Sequence, residues 1–534
     1  MTKRAPSSIA GSEAELLGLA VALGALRNGA SVPERREGEK AGPVAPARAR
    51  AVRTELEGGG DPLGEAFCSL RPPDVRRASG AVYTPFVLVR AILDAVESRE
   101  GAPAITRVVD PGAGSGRFLL EAARRFPSAE LVAVETDPVA SLLLRANAQA
   151  SGIARRLQVI TSDFRTAKLG ATRGRTLFVG NPPYVRHHGI EPRWKAWLTA
   201  QARRLGLGAS QLAGLHVHFF LATALHGRAG DYGAFVTSAE WLDVNYGRLA
   251  RELLLGPLGG LGITLLDPAI APFADAMTTA AITELELGAA PRTLELRRVP
   301  RLSELSARGG RAVPRERVAA EARWTSLFRA PVRRARGLVE LGEVFRVHRG
   351  QVTGRNAVWI AGEHSDGLPA SVLYPSVTRA RELFASGEAL TDASALRRVI
   401  DLPVDLDELS AAERRAVERF LRVARRMGAQ DGFIATHRRA WWSVGLAEPA
   451  PILATYMARR PPAFVRNVAG ARHINIAHGL YPRVSLPSGA LDAYARHLSR
   501  GTSQADGRTY AGGLTKFEPK EMERLLVPPP DRIR

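Results

Sequence analysis

Apolar and polar residues follow two different patterns along the chain. Between about residues 85 and 290, short apolar runs alternate with longer segments whose apolar positions recur at helical spacing. The runs are ITRVV, ELVAV, LQVI, TLFVG, YGAFVTS, GITLL and AAITELEL, and the helical segments include PFVLVRAILDAVES and PVASLLLRANAQASG. This alternation predicts an α/β fold with a mostly parallel, Rossmann-like sheet that has helices on both faces.

The two ends of the chain do not follow this pattern. LLGLAVALGAL, residues 16–26, predicts a short packed helix, and the Pro-, Gly- and Arg-rich residues 28–60 predict a partly disordered linker. Beyond residue 300, short strands, turns and helices mix without clean alternation. We therefore expect an N-terminal extension over residues 1–60, a catalytic domain over 61–300, a connector over 301–337 and a separate mixed α/β domain over 338–534.

Residues suited to binding a nucleoside follow three successive predicted strands. DPGAGSG places Asp110 and Gly112 in a glycine-rich turn that lets the backbone approach a ligand closely. Glu135 ends the next strand, where an acid binds ribose hydroxyls in open α/β sheets. Asp163 can accept from an adenine amino group, and Phe164 can pack on the base. No lysine follows the glycines at P-loop spacing, so a ligand without a phosphate chain is expected.

The fourth strand ends in Asn181-Pro182-Pro183-Tyr184. Asn181 offers a side-chain carbonyl, and Pro182 offers a backbone carbonyl on a chain whose φ angle is fixed. Tyr184 offers a face for a planar base. Two acceptors beside an aromatic ring suit the exocyclic amine of a planar base, whose lone pair must leave the plane of the base before it can react. Such catalysis depends on positioning and electrostatics.

The composition is strongly basic. The 74 Lys and Arg residues outnumber 53 Asp and Glu, which gives a formal charge of +21. This excess favours a nucleic-acid partner, although an Arg-rich composition without functional meaning stays open. Cys68 is the single cysteine, so no disulfide can form within the chain, and we expect a reducing cytoplasm. No apolar run reaches membrane length, and the histidine pairs at 187–188 and 216/218 have no carboxylate at ligand spacing, so no metal site is expected.

These motifs together resemble the γ-type DNA adenine-N6 methyltransferases of the Eco57I and TaqI type, over most of residues 61–534. GAVYTP, DPGAGSGRF and NPPYVR are similar to the leading, glycine-rich and catalytic motifs of that family. The resemblance implies a class I methyltransferase domain that uses S-adenosyl-L-methionine, followed by a target-recognition domain. It also implies that Thr84 holds the methionine part of the cofactor, and that Phe273, in FADAMTTAAITELEL, stacks on the target base.

The function implied is methylation of N6 of a flipped-out adenine in double-stranded DNA, as the modification component of a type II restriction–modification system. The resemblance allows for a separate cognate restriction endonuclease as partner, and a monomer is expected. Two alternatives stay open at this point. One is a protein glutamine-N5 methyltransferase, which uses a similar Asn-Pro-Pro-Tyr loop, and the other is a non-catalytic DNA-binding protein with a degenerate methyltransferase fold.

Overall fold

The structure is a computed structural model of the chain. It describes residues 9–27, 29–72, 82–97, 105–267, 270, 273, 279–305, 309–328, 337–510 and 514–533. The chain divides into two units, Met1–Pro331 and Val332–Arg534, which are taken separately below as unit 1 and unit 2.

Unit 1 is built on one twisted sheet. Among the described residues the sheet has nine strands in the order β3-β2-β1-β4-β5-β7-β6-β8-β9. The strands are β1 (Ile105–Pro111), β2 (Glu130–Glu135), β3 (Leu157–Thr161), β4 (Arg175–Gly180), β5 (Tyr232–Ser238), β6 (Gly260–Leu266), β7 (Ala280–Glu286), β8 (Thr293–Val299) and β9 (Arg311–Pro314). Strands β1 to β5 pair in parallel, whereas β7 is antiparallel to both β5 and β6.

Helices cover this sheet. They are α1 (Glu13–Ala22), α2 (Val32–Gly38), α3 (Pro46–Glu57), α4 (Pro62–Leu70), α5 (Phe86–Glu97), α6 (Arg117–Arg125), α7 (Pro138–Ala150), α8 (Pro192–Arg204), α9 (Leu215–His226), α10 (Arg248–Leu255) and α11 (Arg315–Ala320). The central strand β5 is buried at every position, as a strand covered on both faces must be. The outer strand β8 alternates between buried and exposed residues instead.

The expectation of a linker over residues 28–60 is wrong. Residues 32–38 and 46–57 form α2 and α3, which pack with α1 and α4 on the outer face of α7. Leu16, Leu56 and Leu142 are buried in this one apolar cluster. The segment between α2 and α3 lies against α1, where the Gly42 amide donates to the Ala14 carbonyl and a Cβ on Gly18 would overlap the Gly42 carbonyl. Few apolar residues suffice here because the partner helix supplies most of the apolar surface.

The start of the expected connector also belongs to unit 1. Residues 311–314 form β9, which pairs antiparallel with β8 at the sheet edge. Trp324 is buried and its ring packs edge-on against Trp241, with centroids 6.0 Å apart. The charged residues between 301 and 323 are typical of an exposed edge strand and the helix after it, so their composition resembles that of a linker. Residues 329–336 of the expected connector lie outside the described part of the chain.

Unit 2 is a mixed α/β body. Its largest sheet among the described residues has five strands in the order β11-β19-β15-β17-β13. The strands of unit 2 are β10 (Val339–Glu340), β11 (Phe345–Arg349), β12 (Leu373–Val377), β13 (Ala389–Leu390), β14 (Arg398–Ile400), β15 (Ile452–Thr455), β16 (Met457–Ala458), β17 (Phe464–Asn467), β18 (Arg472–His473), β19 (Ala477–Pro482), β20 (Arg508–Tyr510), β21 (Leu514–Lys516) and β22 (Leu526–Val527). The helices are α12 (Leu341–Val344), α13 (Asn356–Trp359), α14 (Ala380–Ala385), α15 (Ala411–Arg426), α16 (Phe433–Thr436), α17 (Ala490–Gly501) and α18 (Pro519–Glu523).

Two large apolar clusters hold unit 2 together. One lies under the five-stranded sheet around Phe345 and Tyr494, whose rings meet edge to face at 5.1 Å. The other lies around Trp359 and Phe420 beneath α15. In the part of the chain that the structure describes, no helix combines the length and the apolar character needed to cross a membrane.

Candidate active site

The candidate site lies at the carboxyl ends of β1 and β4. The chain runs outward from β1 to β2 and β3, and then returns to place β4 on the other side of β1. Loops that follow β1 and β4 therefore diverge and leave a crevice, which is where open α/β sheets bind their ligands. The glycine-rich turn follows β1 and the Asn-Pro-Pro-Tyr loop follows β4.

The glycine-rich turn is held open by backbone geometry. Gly112, Gly114 and Gly116 have φ angles of 81°, 53° and 91°, a region that side-chain-bearing residues rarely enter. The Gly112 amide donates to the Val134 carbonyl at 2.8 Å, which ties the turn to β2. A Cβ on Gly112 would lie 3.5 Å from the Pro183 ring, so the turn and the Asn-Pro-Pro-Tyr loop approach closely.

Glu135 is bonded to the same turn. Its Oε2 accepts from the Gly114 amide at 2.8 Å, and its Oε1 accepts from the Thr136 and Asp137 amides at 2.8 and 2.9 Å. Burial raises the pKa of Glu135, although these backbone donors favour the charged form. Thr136 Oγ1 also donates to Oε1 at 3.5 Å, whereas Oε2 accepts only from Gly114 among the residues described and keeps capacity for a further donor beside the cavity.

Asp110 is a buried carboxyl. Within the described chain neither carboxylate oxygen has a hydrogen-bond partner, and the residue is 1% exposed. Burial, and then the negative charge of Glu135, raise the pKa of Asp110 well above its ordinary value. Two acids held together without a cation create a site where a positively charged ligand is favoured.

Asn181 has a satisfied amide nitrogen and an unsatisfied carbonyl oxygen. Its Nδ2 donates to the Val82 carbonyl and to Thr84 Oγ1, both at 3.1 Å. Its Oδ1 is buried, and no residue in the described ranges donates to it. The two donated hydrogen bonds fix the orientation of the amide, so the free acceptor is set in one direction beside the cavity.

Tyr184 and Phe273 form an aromatic pair next to this loop. Their rings meet edge to face with centroids 5.8 Å apart, and Phe273 is 3% exposed. The Tyr184 hydroxyl is buried without a partner among the residues described, and burial raises its pKa. Pro182, between Asn181 and Pro183, is also buried. Residues 80–81 of the leading motif and 274–278 after Phe273 lie outside the described ranges.

Asp163 carries a partner that sequence reasoning missed. The Arg165 guanidinium donates to both Asp163 oxygens, at 2.8 and 2.6 Å, and stacks 3.7 Å above the Trp194 ring at the start of α8. Phe164 is 2% exposed, because its ring packs in the core against Phe219 and His226. Asp163 thus lines the cavity as half of an ion pair, whereas Phe164 lines it from a ring that is packed in the core.

A second missed group is a buried network centred on Asp61. Asp61 Oδ2 accepts from the Ser115 hydroxyl at 2.5 Å and from Arg117 Nε at 2.7 Å, and its Oδ1 accepts from the Gly64 amide and Asn147 Nδ2 at 2.9 Å each. Arg117 also donates to the Thr84 carbonyl at 3.1 Å. Thr84 in turn holds Asn181, so hydrogen bonds run from Asp61 to the catalytic loop. Asp61-Pro62 shows in sequence only as a helix start.

These groups surround one cavity of about 610 Å³. Of the residues predicted from sequence, those lining it are Thr84, Gly112, Glu135, Asp163, Phe164 and Asn181, whereas Asp110, Pro182, Tyr184 and Phe273 lie outside its lining. Arg71, Arg117, Arg165 and Trp194 also line it. The segment after Asn181-Pro182-Pro183-Tyr184 forms α8, which buries Leu198 and Ala202.

Comparison with known proteins identifies the family. The protein family described as "N-6 DNA Methylase" matches residues 71–208. The family described as "Type II methyltransferase M.Eco57I, C-terminal domain" matches residues 324–534. The type II methyltransferase M.XamI of Xanthomonas campestris pv. amaranthicola is 49% identical over 97% of this chain and 98% of its own length. The chain belongs to the type II DNA methyltransferases. The N-6 DNA methylase match and this full-length relative together confirm the prediction of an N6-adenine family enzyme, and they set aside the glutamine methyltransferase and the non-catalytic alternatives.

More distant relatives agree with this fold. The type II methyltransferase M.AccI of Acinetobacter calcoaceticus is 21% identical over 65% of this methyltransferase and 68% of its own length. The solved structure of the type IIL restriction-modification enzyme MmeI in complex with DNA aligns with a TM-score of 0.54 at 13% identity, covering 91% of this chain and 76% of that one. Unit 1 has the fold of the class I S-adenosylmethionine-dependent methyltransferases, with the antiparallel β7 inserted beside β5.

Proposed function

We propose that the crevice of unit 1 transfers a methyl group from S-adenosyl-L-methionine to N6 of an adenine in double-stranded DNA. The observation that carries this proposal is Asn181. Its carbonyl oxygen is buried beside the cavity, held in one orientation and left without a donor among the residues described. A buried acceptor costs about 1–3 kcal/mol when unpaired, so it is retained where a ligand supplies the donor.

The cavity fits the cofactor in size and charge. Ligand sites of this kind range over roughly 300–1,000 Å³, and the volume here lies within that range. The cofactor supplies an electrophilic methyl group on a positively charged sulfonium. The carboxyl groups of Asp110 and Glu135 lie next to the glycine-rich turn, where a sulfonium cation would favour their ionised forms, and the turn leaves room for a ligand against its backbone. Glu135 would take ribose hydroxyls, Asp163 and Phe164 the adenine ring, and Thr84 the methionine end.

Asn181 and Pro182 would prepare the amine. The lone pair of adenine N6 is delocalised into the ring, which makes the nitrogen a poor nucleophile. An acceptor at Asn181 Oδ1 for one N–H and at the Pro182 carbonyl for the other would turn the lone pair out of the ring plane and toward the methyl group. Transfer forms the bond between N6 and the methyl carbon, leaves the electron pair of the broken bond on sulfur, and releases one N6 proton to water.

Tyr184 and Phe273 would hold the base. An adenine in a duplex must leave the stack before N6 can be reached, at a cost of a few kcal/mol. Stacking of a base on an aromatic ring contributes about 1–3 kcal/mol, which offsets part of that cost. Tyr184 lies three positions after Asn181 in the same loop and its ring contacts Phe273, so a base stacked there would present its edge to the Asn181 carbonyl.

Residues 338–534 would read the DNA sequence, in line with their match to a C-terminal domain of a type II methyltransferase. Exposed arginines in this part can contact phosphates or guanine edges. The enzyme would then protect its own recognition site as the modification component of a restriction–modification system, with a separate cognate endonuclease as the expected partner.

The experiment is transfer of a labelled methyl group to duplex DNA, followed by nucleoside analysis. The expected product is N6-methyladenine. Asn181→Ala should lower the transfer rate at least about 10³-fold, because one positioned polar group contributes roughly 10²–10³. Without Asn181, the amine is also no longer oriented toward the Pro182 carbonyl. Label found in protein, or on cytosine, would contradict the assignment.

Cofactor binding by the same variant is the control. Equilibrium binding of S-adenosylmethionine to Asn181→Ala should stay within about threefold of the wild-type value, because Asn181 faces the amine and Glu135 and the glycine-rich turn hold the cofactor. If cofactor binding vanished together with transfer, the division of labour between the two motifs would be wrong.

A further inference from the structure

The long helix α15 of unit 2 is firmly seated on its core. Ser410 caps it by accepting from the Glu413 amide, and the Glu413 carboxylate accepts from the Ser410 amide in return. The buried face consists of Val417, Phe420, Leu421 and Ala424. Phe420 packs edge to face against Trp359 with centroids 6.0 Å apart. The direction of every other side chain on α15 is therefore set by this packing.

The opposite face of α15 carries four arginines, Arg415, Arg419, Arg422 and Arg426, which we call the arginine stripe. All four are exposed. At 3.6 residues per turn their spacing places them within a sector of about 60°, centred roughly opposite the buried face. They thus form one line along the most solvent-exposed side of the helix, about 16 Å long at 1.5 Å per residue.

The acidic residues near the stripe are engaged elsewhere. Glu418 and Asp407 pair with Arg414, which lies off the stripe, and Glu413 accepts from Ser410 and Ser371. No ion pair within the described part of the chain involves any of the four stripe arginines, in contrast to Arg248, which pairs with Glu252 one turn away on α10. A merely solvated helix face mixes both signs of charge, and this one does not.

We propose that the arginine stripe binds the phosphate backbone of double-stranded DNA. The inference rests on the proposed function, which makes duplex DNA the substrate, and it adds the surface that holds it. A duplex carries about one negative charge per 1.7 Å of its axis with both strands counted, so a length of duplex equal to that of the stripe carries roughly ten charges. Four guanidinium groups on a rigid helix match that dense row, and phosphate contacts of this kind set position rather than sequence preference.

The test replaces the stripe by neutral residues of similar length, as Arg415→Gln, Arg419→Gln, Arg422→Gln and Arg426→Gln together. Binding of an arbitrary duplex of about 40 base pairs is followed by fluorescence anisotropy between about 0.05 and 0.3 M salt. Each lost phosphate contact lowers the slope of log K against log salt by about 0.9, so the slope should fall by about 3 to 4. Affinity near 0.15 M salt should fall roughly 10²–10³-fold, equally for different sequences.

The matched control removes four arginines that already have acidic partners, Arg248, Arg301, Arg483 and Arg500. It changes the net charge by the same amount, and its salt slope should change by less than about one. The corresponding four Arg→Lys changes on the stripe should retain the wild-type slope, because a phosphate tolerates either cation whereas a bidentate base contact does not.

Three results would overturn the proposal. In the first, the slope of log K against log salt falls no further in the stripe variant than in the control. In the second, the loss of affinity depends on the DNA sequence. In the third, the variant keeps duplex binding but loses binding to single-stranded RNA. Failure of the proposed function itself looks different, since the wild-type enzyme would then leave no N6-methyladenine in any DNA.

Discussion

Two neighbouring buried carboxyl groups of unit 1, Asp61 and Asp110, differ in their hydrogen bonding. Around Asp61, both carboxylate oxygens are paired, with Ser115 and Arg117 on one and with Gly64 and Asn147 on the other. Around the catalytic loop, Asp110 and the Asn181 carbonyl are equally buried, yet they have no partners within the described ranges. The two groups are linked through Thr84, which accepts from Arg117 and from Asn181.

This difference indicates that the paired residues have a structural role and that the unpaired residues bind ligands. A buried charge with a full set of hydrogen bonds rigidifies its surroundings, whereas an unpaired buried acceptor is costly unless a ligand completes it. The Asp61 network therefore fixes the backbone around the Asn-Pro-Pro-Tyr loop. Asp110 and the Asn181 carbonyl are the positions at which cofactor and base are expected. Three changes test this division, beginning with the largest effect.

Asp61→Ala should lower the free energy of unfolding by about 3–5 kcal/mol. The change leaves the Arg117 guanidinium buried without its carboxylate, and stranded buried charges cost this much. Urea denaturation measures the loss. The double change Asp61→Ala with Arg117→Met should recover part of it, because the unpaired charge is then removed as well. A single variant as stable as the wild type, or a double variant no better than the single one, would show that the network is not a support.

Asp110→Asn should instead stabilise the ligand-free protein, by about 1–3 kcal/mol at neutral pH and above. The pKa of Asp110 is raised from its ordinary value of 3.8, so its carboxyl favours folding below that value and this contribution is lost as pH rises through the folded-state pKa. The gain of the variant should therefore grow with pH when unfolding is followed between about pH 4 and 9. Cofactor affinity should fall at the same time. A variant less stable at every pH would mean that Asp110 has a structural partner.

Tyr184→Phe should have the smallest effect. The hydroxyl has no partner in the part of the chain described, so its loss should change the unfolding free energy by less than about 1 kcal/mol and the turnover number by less than about twofold. Tyr184→Leu removes the ring and should lower kcat/KM by about 10–100-fold, since base stacking is lost. Equal losses in both variants would give the hydroxyl a role in transfer and would contradict the stacking role.

The catalytic fold is readable from local sequence because its signals are local. β1 followed by glycines, β2 ending at Glu135 and β4 ending at Asn181 each combine an apolar run with a turn residue within a few positions. The order of the strands then brings these turns together without further information, since parallel strands share one carboxyl edge. Thr84, Glu135, Asp163 and Asn181 consequently meet at one cavity.

What sequence reasoning missed depends on distant contacts. Asp61 meets Ser115 and Arg117, more than fifty positions later in the chain, and no local pattern marks such a bond. The helices α2 and α3 have few apolar residues and resemble a linker until α7 supplies the surface on which they pack. Phe164 follows Asp163 in a pattern that suits a ligand, but the core contacts of its ring decide where it lies.

The packing of α1 on α7 has a consequence for how the chain is made. Leu16 and Leu19 of α1 share a buried cluster with Leu142 and Leu143 of α7, which begins at Pro138. A ribosome adds about 5–20 residues per second, so α7 is synthesised on the order of ten seconds after α1. During that time α3 and α4, which contribute Leu56 and Leu63 to the same cluster, are the apolar surfaces available to shelter it. Early association of α1 with α3 and α4 would thus protect the nascent chain from aggregation before the sheet exists.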